Sequence, residues 1–99
     1  MSTVNRSYSQ YVAHCLRFYA RYPKPQNSGV AQTNWLACEK ALRSFSIKEK
    51  AMILAIYNGR DAMADMVYET AKAYEVPQET VWKLIKILER KVAEERGLL

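Results

Sequence analysis

Residues 69–86, reading ETAKAYEVPQETVWKLIK, narrow the folds open to this chain more than any other stretch. Apolar residues recur there at helical spacing on both sides of Glu75-Val76-Pro77, the mark of two amphipathic helices. Proline disrupts a helix interior but suits a helix start, so Pro77 fixes a boundary. The stretch therefore predicts a helix, a tight turn and a second helix, the helix-turn-helix arrangement. Ala71 is small enough to let the two helices approach, while Val76, Val81 and Ile85 supply the apolar lock between them.

The remaining sequence carries the same period. Tyr8, Tyr11, Val12, Cys15, Phe18, Tyr19 and Tyr22 make one apolar face of a first helix over 5–22. Gln10, His14, Arg17 and Arg21 step along its other side. Pro23 and Pro25 end that helix, and Gln26-Asn-Ser-Gly29 continues as a loop. A second helix is expected from Val30 or Thr33 to Phe45, carried by Trp35, Cys38, Leu42 and Phe45. Ser46-Ile-Lys-Glu49 matches a capping box that opens a third helix reaching Tyr57, with Met52, Ile53, Ile56 and Tyr57 as its core candidates. Asn58-Gly59 stops it, since both residues tolerate a left-handed helix end. Asp61 is the expected cap of a fourth helix over 62–74, with Met63, Val67, Ala71 and Tyr74 inward. Pro77 opens the fifth helix and Gly97 ends it, giving about 28 Å of helix at 1.5 Å per residue. Its core stripe is Val81, Leu84, Ile85, Leu88 and Val92. No segment alternates with period two, so the expectation is one all-α domain of five helices over 1–99, with a C-terminal helix-turn-helix.

Charge divides the chain. Residues 1–45 carry six Lys/Arg against the single acid Glu39, a balance of +5, whereas 46–99 carry nine bases and nine acids. Phosphate neutralisation drives non-specific nucleic-acid affinity, so the first helix must help if the second half meets DNA. There is no run of 18 apolar residues and no hydrophobic leader at Met1-Ser-Thr-Val-Asn-Arg6, so a cytoplasmic protein without a membrane partner is expected. Cys15 and Cys38 lack the short spacings of a metal site and are read as small buried thiols. His14, the one histidine, has no nucleophile or carboxylate placed for catalysis by sequence spacing, and three glycines make no phosphate loop. Neither an enzyme nor a cofactor is expected.

On the fifth helix, core positions 81, 84, 85 and 88 leave Gln78, Glu79, Trp82, Lys83, Lys86 and Arg90 toward solvent. Gln78 suits an adenine edge, Lys83 and Lys86 suit guanine or phosphate, and Arg90 suits the DNA backbone. Glu79 suits a cytosine amine, or stabilises the helix start and pairs with Lys83 one turn later. Trp82 has two readings, contact with sugar or a thymine methyl, and packing on the first helix or a partner. Arg17, Arg21 and Lys24 form a basic stripe that provides a second phosphate contact, docks an acidic protein surface, or keeps a solvated face.

Residues 42–98 resemble the fourth region of sigma-70-type factors and the small phage and mobile-element regulators that carry the same module. The matching segments are Ala41-Leu-Arg-Ser-Phe-Ser-Ile-Lys-Glu-Lys50, Ile53-Leu-Ala-Ile-Tyr57, Glu69-Thr-Ala-Lys72 and Val76-Pro-Gln-Glu-Thr-Val81. Where such modules commonly carry glycine in the turn, this chain has Glu75. The resemblance implies transcription regulation, with the fifth helix (78–96) in the major groove of double-stranded DNA. Residues 1–40 lack the polymerase-binding region of a complete sigma factor, so promoter opening is not implied. The other function class is a protein-binding helical module that grips RNA polymerase, a sigma factor or a host defence protein. A homodimer is also open, because groove readers often pair to read two half-sites.

Overall fold

The structure is a computed structural model that describes residues 3–22, 24 and 29–99, with side chains from residue 8 onward. Its five helices are α1 (Thr3–Arg21), α2 (Gly29–Leu42), α3 (Ile47–Asn58), α4 (Met63–Tyr74) and α5 (Gln78–Glu95), and no strand occurs among the described residues. The all-α class and helix count therefore match the sequence reading. The expected breaks at Pro23 and Pro25 and residues 26–28 of the expected 26–29 loop lie outside the described residues, whereas Gly29 is not loop but the first residue of α2.

Local chemistry sets most helix ends. Ser46 accepts the Glu49 amide at 3.1 Å, and Glu49 accepts the Ser46 amide at 2.9 Å, so the expected capping box forms. At the end of α5, Gly97 is left-handed at φ 73, and the Leu98 amide donates to the Ala93 carbonyl at 2.8 Å. Glu75 repeats this ending on α4 without glycine. It sits at φ 57 and ψ 46, while the Val76 amide reaches back to the Ala71 carbonyl at 3.0 Å. Both are six-to-one closures that satisfy carbonyls left over at a helix end.

Four other boundaries differ from expectation. Helix α2 stops at Leu42 rather than Phe45, and the Phe45 amide closes a turn on the Leu42 carbonyl at 3.1 Å. The chain must turn there because Ser46 already caps α3. Gly59 is extended at φ −71 and ψ 159, not left-handed. A Cβ there would lie 2.5 Å from the Met66 sulfur, so the Met66 side chain would have to shift. Asp61 does not cap α4. Ala62 occupies that position without a side-chain bond, and its carbonyl receives the Met66 amide at 3.0 Å. Pro77 is itself the cap of α5 rather than its first residue, and its carbonyl accepts from Thr80 at 3.0 Å.

One core joins all five helices. Val12 and Leu16 of α1, Cys38 and Leu42 of α2, Ile53 and Tyr57 of α3, Val67 of α4, and Val81, Leu88 and Val92 of α5 are fully buried. Helix α5 packs against each of the other four, and α1 packs against α2, α3 and α5. The apolar face of α1 is rotated from the sequence reading: Leu16 is completely buried, whereas Phe18 and Tyr22 are 36% and 57% exposed. The α1 face turned inward is the one that α2, α3 and α5 can all reach.

Polar contacts pin the ends of this bundle. Arg96, just beyond α5, donates to Asn34 Oδ1 of α2 at 2.6 Å and lies 5.8 Å from the Tyr11 ring of α1. The Tyr11 hydroxyl and Asn34 also bond each other, at 3.0 Å from the amide nitrogen. Tyr19 donates to the Glu39 carboxylate. Burial, and then that carboxylate, push the Tyr19 hydroxyl pKa well above its ordinary value. Cys15 and Cys38 are buried free thiols, and burial raises Cys38 to about 12. Among the described residues no helix is long and apolar enough to cross a membrane.

Candidate nucleic-acid interface

The three-residue connection Glu75-Val76-Pro77 holds α4 and α5 in contact, and Val81 and Ile85 are buried beneath it as the sequence spacing requires. With that side of α5 facing inward, Gln78, Glu79, Thr80, Lys83, Lys86, Ile87 and Arg90 are exposed. Cations occupy the middle of this stripe, with Glu79 before them and Glu94 after. Arg90 pairs with Glu94 at 3.6 Å, both side chains well exposed, so the pair holds the guanidinium only weakly.

Helix α1 crosses the flank of α5. Arg17 of α1 and Lys86 of α5 line one open groove of about 540 Å³, together with Gln10, Ala13, Trp82 and Ile85. Thus Arg17 of the basic first helix and Lys86 of α5 share a face in this part of the surface. Trp82 is half-buried and packs against the core, while the rest of its side chain forms groove wall. The packing reading of Trp82 therefore holds without removing the ring from the surface.

On the floor of the groove a polar cluster fixes the spacing of α1 and α5. Glu89 accepts from the Ser9 hydroxyl at 3.0 Å and from the Tyr57 hydroxyl at 3.3 Å, tying α1 and α3 to α5. Burial raises the Tyr57 pKa first and the Glu89 carboxylate raises it further, against a smaller opposite pull from Arg17. Tyr57 consequently stays a neutral donor to the Glu89 carboxylate.

The other site candidates are less gathered. Gln78 borders a shallow depression with Tyr68, Lys72 and Glu75, on the α4 side of the turn. Glu79 and Lys83 project from the first turns of α5. Arg21 and Lys24 are exposed and carry positive charge on beyond Arg17 toward the end of α1. Sequence reasoning missed Ile87, which is 48% exposed between Lys83, Lys86 and Arg90. Its position opposite Val81, Ile85 and Leu88 on the helical wheel was the available signal. It also missed Ser9 and Glu89, whose partnership spans 80 residues of sequence.

The face has a negative border. Residues 60–79 contain the bases Arg60 and Lys72 against the acids Asp61, Asp65, Glu69, Glu75 and Glu79, a balance of −3. Asp65 and Glu69 are exposed along α4. Positive charge therefore gathers along α1 and the middle of α5, and negative charge along α4. No family model, no curated protein and no solved structure matches this chain.

Proposed function

We propose that this protein binds double-stranded DNA and acts as a small transcription regulator of the phage or mobile-element kind. The exposed stripe of α5 enters the major groove, with Gln78, Lys83 and Lys86 toward base edges and Arg90 toward the backbone. Arg17, followed by Arg21 and Lys24, adds phosphate contacts beside it. The observation that carries this reading is the single groove shared by Arg17 and Lys86, because α5 and its own segment have too little net charge to hold DNA alone. Ile87 supplies an apolar surface suited to a thymine methyl.

The test is fluorescence anisotropy with a pool of promoter-containing duplexes. Lys83→Ala combined with Lys86→Ala should weaken binding by about tenfold or more, since each lost cation returns a counterion to the DNA. Unchanged affinity in the double variant would remove the reading.

A second reading is favoured by the acidic border on α4. A protein partner with a basic surface, such as part of RNA polymerase, a sigma factor or a host defence protein, fits Asp65 and Glu69 better than phosphate does. A nuclease-treated pull-down separates the two. Partners retained after nuclease and lost on Asp65→Lys with Glu69→Lys favour the protein-binding module.

A further inference from the structure

We propose that the groove between α1 and α5 binds one unstacked nucleotide unit, with its base against Trp82 and its phosphate between Arg17 and Lys86. The volume, about 540 Å³, falls within the range of small-molecule sites. Its walls divide by chemistry. Ala13, Ile85 and the Trp82 side chain supply an apolar, aromatic surface, Gln10 supplies an amide able to read a base edge, and two cations flank them. A planar aromatic ring carrying an anion is the ligand class that uses all of these groups.

Glu89 decides how positive this groove is. Both of its oxygens are engaged, one by Ser9 and the other by Tyr57, so the carboxylate is held on the groove floor rather than free to swing over Arg17 or Lys86. No ion pair of Glu89 with either cation forms within 4.0 Å among the described residues. Two exposed cations therefore face the groove against one fixed carboxylate, which leaves it net positive. Base pairs in a duplex have their faces covered by stacking, so a duplex cannot fill this groove without extruding a nucleotide. Nucleotide binding here therefore differs from duplex binding in its ligand, while both readings use Arg17 and Lys86.

The same chemistry comes from two sources, a free mononucleotide or one residue of a single strand. Trp35→Phe makes Trp82 the sole tryptophan, and among the described residues it sacrifices no hydrogen bond, because the Trp35 indole nitrogen has no partner there. In that background, Trp82 fluorescence is titrated with AMP, dTMP, adenosine, pyrophosphate and an oligothymidylate of about eight residues. Saturable quenching by a mononucleotide or the oligonucleotide is expected, weakened about threefold to tenfold by Arg17→Gln and by Lys86→Gln. Adenosine, which lacks the phosphate, should bind about tenfold or more weakly than AMP, and pyrophosphate, which lacks the base, should compete less well than AMP despite its greater charge. An oligonucleotide far tighter than dTMP assigns the site to single strands, and comparable affinities assign it to free nucleotides.

Absent or non-saturating quenching with both ligand types overturns the proposal. So does quenching that ignores both glutamine variants, or pyrophosphate that competes as well as AMP. Lys83→Gln separates this site from the duplex interface, because Lys83 lies outside the groove lining. It should lower duplex affinity and leave nucleotide affinity unchanged. Duplex binding sensitive to Lys83 without nucleotide binding ends this inference alone, and nucleotide binding without any duplex binding ends the duplex reading alone.

Discussion

Replacing Glu75 with glycine should stabilise the protein, and the structure supplies each part of the sum. Glu75 holds φ 57 and ψ 46, a conformation in which Cβ crowds the following carbonyl. That crowding costs a non-glycine residue about 1–2 kcal/mol. The carboxylate also stands at the negative end of α4, adding about 0.3 kcal/mol of unfavourable interaction at an exposed site. Glycine opposes these gains by about 0.5–1 kcal/mol, because it has more freedom to lose from the unfolded chain. The balance is a gain of about 1 kcal/mol, or a rise of about 4–8 °C in Tm for a domain of this size. Thermal and urea unfolding followed by circular dichroism at the helix band measure it. Glu75→Ala is the informative companion, since it removes the charge but keeps the crowded backbone. Alanine should move Tm by only about 1–2 °C. Glycine no better than alanine would refute the account of the turn.

Other outcomes follow from single contacts. Ser46→Ala removes the side-chain half of the α3 capping box and should cost about 1 kcal/mol in urea unfolding, with Glu49→Ala adding less than its own single effect because the two bonds are reciprocal. Leu16→Ala should cost about 2–5 kcal/mol by the same measurement, whereas Phe18→Ala should cost much less, since only Leu16 is fully buried. Cys38 ionises at an ordinary 9.0 when unfolded but near 12 when folded, so the folded state keeps a proton that the unfolded state releases. Its stabilisation is complete below pH 9 and declines from there toward 12, by about 1.4 kcal/mol per pH unit. Urea unfolding at about pH 8 and pH 10 should differ by about 1.4 kcal/mol from this thiol, and Cys38→Ala should reduce that difference even though the variant is less stable throughout.

The legible parts of the fold are those decided within a few residues. Ser46 and Glu49 announce a cap because their partners are three residues apart, and Gly97 announces a stop because the left-handed turn is local. Glu75 shows that the backbone can demand the same conformation of a residue ill suited to it, which the spacing between Ala71 and Val81 required regardless. Asp61 shows the limit, because a cap must stand directly before the first helical residue and the sequence offered a better side chain one place too early. The choice between Leu16 and Phe18 on α1 depended on three other helices at once, and period alone weighs both alike. The candidate interface divides in the same way. The exposed stripe on α5 follows from its buried face, so Lys83, Lys86 and Arg90 were visible in the sequence. The meeting of Arg17 with Lys86 was not, because it is set by how α1 crosses α5 and by the Ser9–Glu89–Tyr57 bonds that hold them.

The shared basic face of α1 and α5 is tested most directly by the salt dependence of duplex affinity, measured by anisotropy from about 50 to 200 mM salt. Arg17→Ala, which lies on a different helix from the groove-reading stripe, is compared with Lys83→Ala, Lys86→Ala and the wild-type chain. Each variant should lower the slope of log affinity against log salt by about 1, and Arg17 and Lys86 together should lower it by about 2. A slope that falls with the two lysines but is unmoved by Arg17→Ala would contradict the shared face, and a slope unmoved by all three would contradict DNA binding by α5.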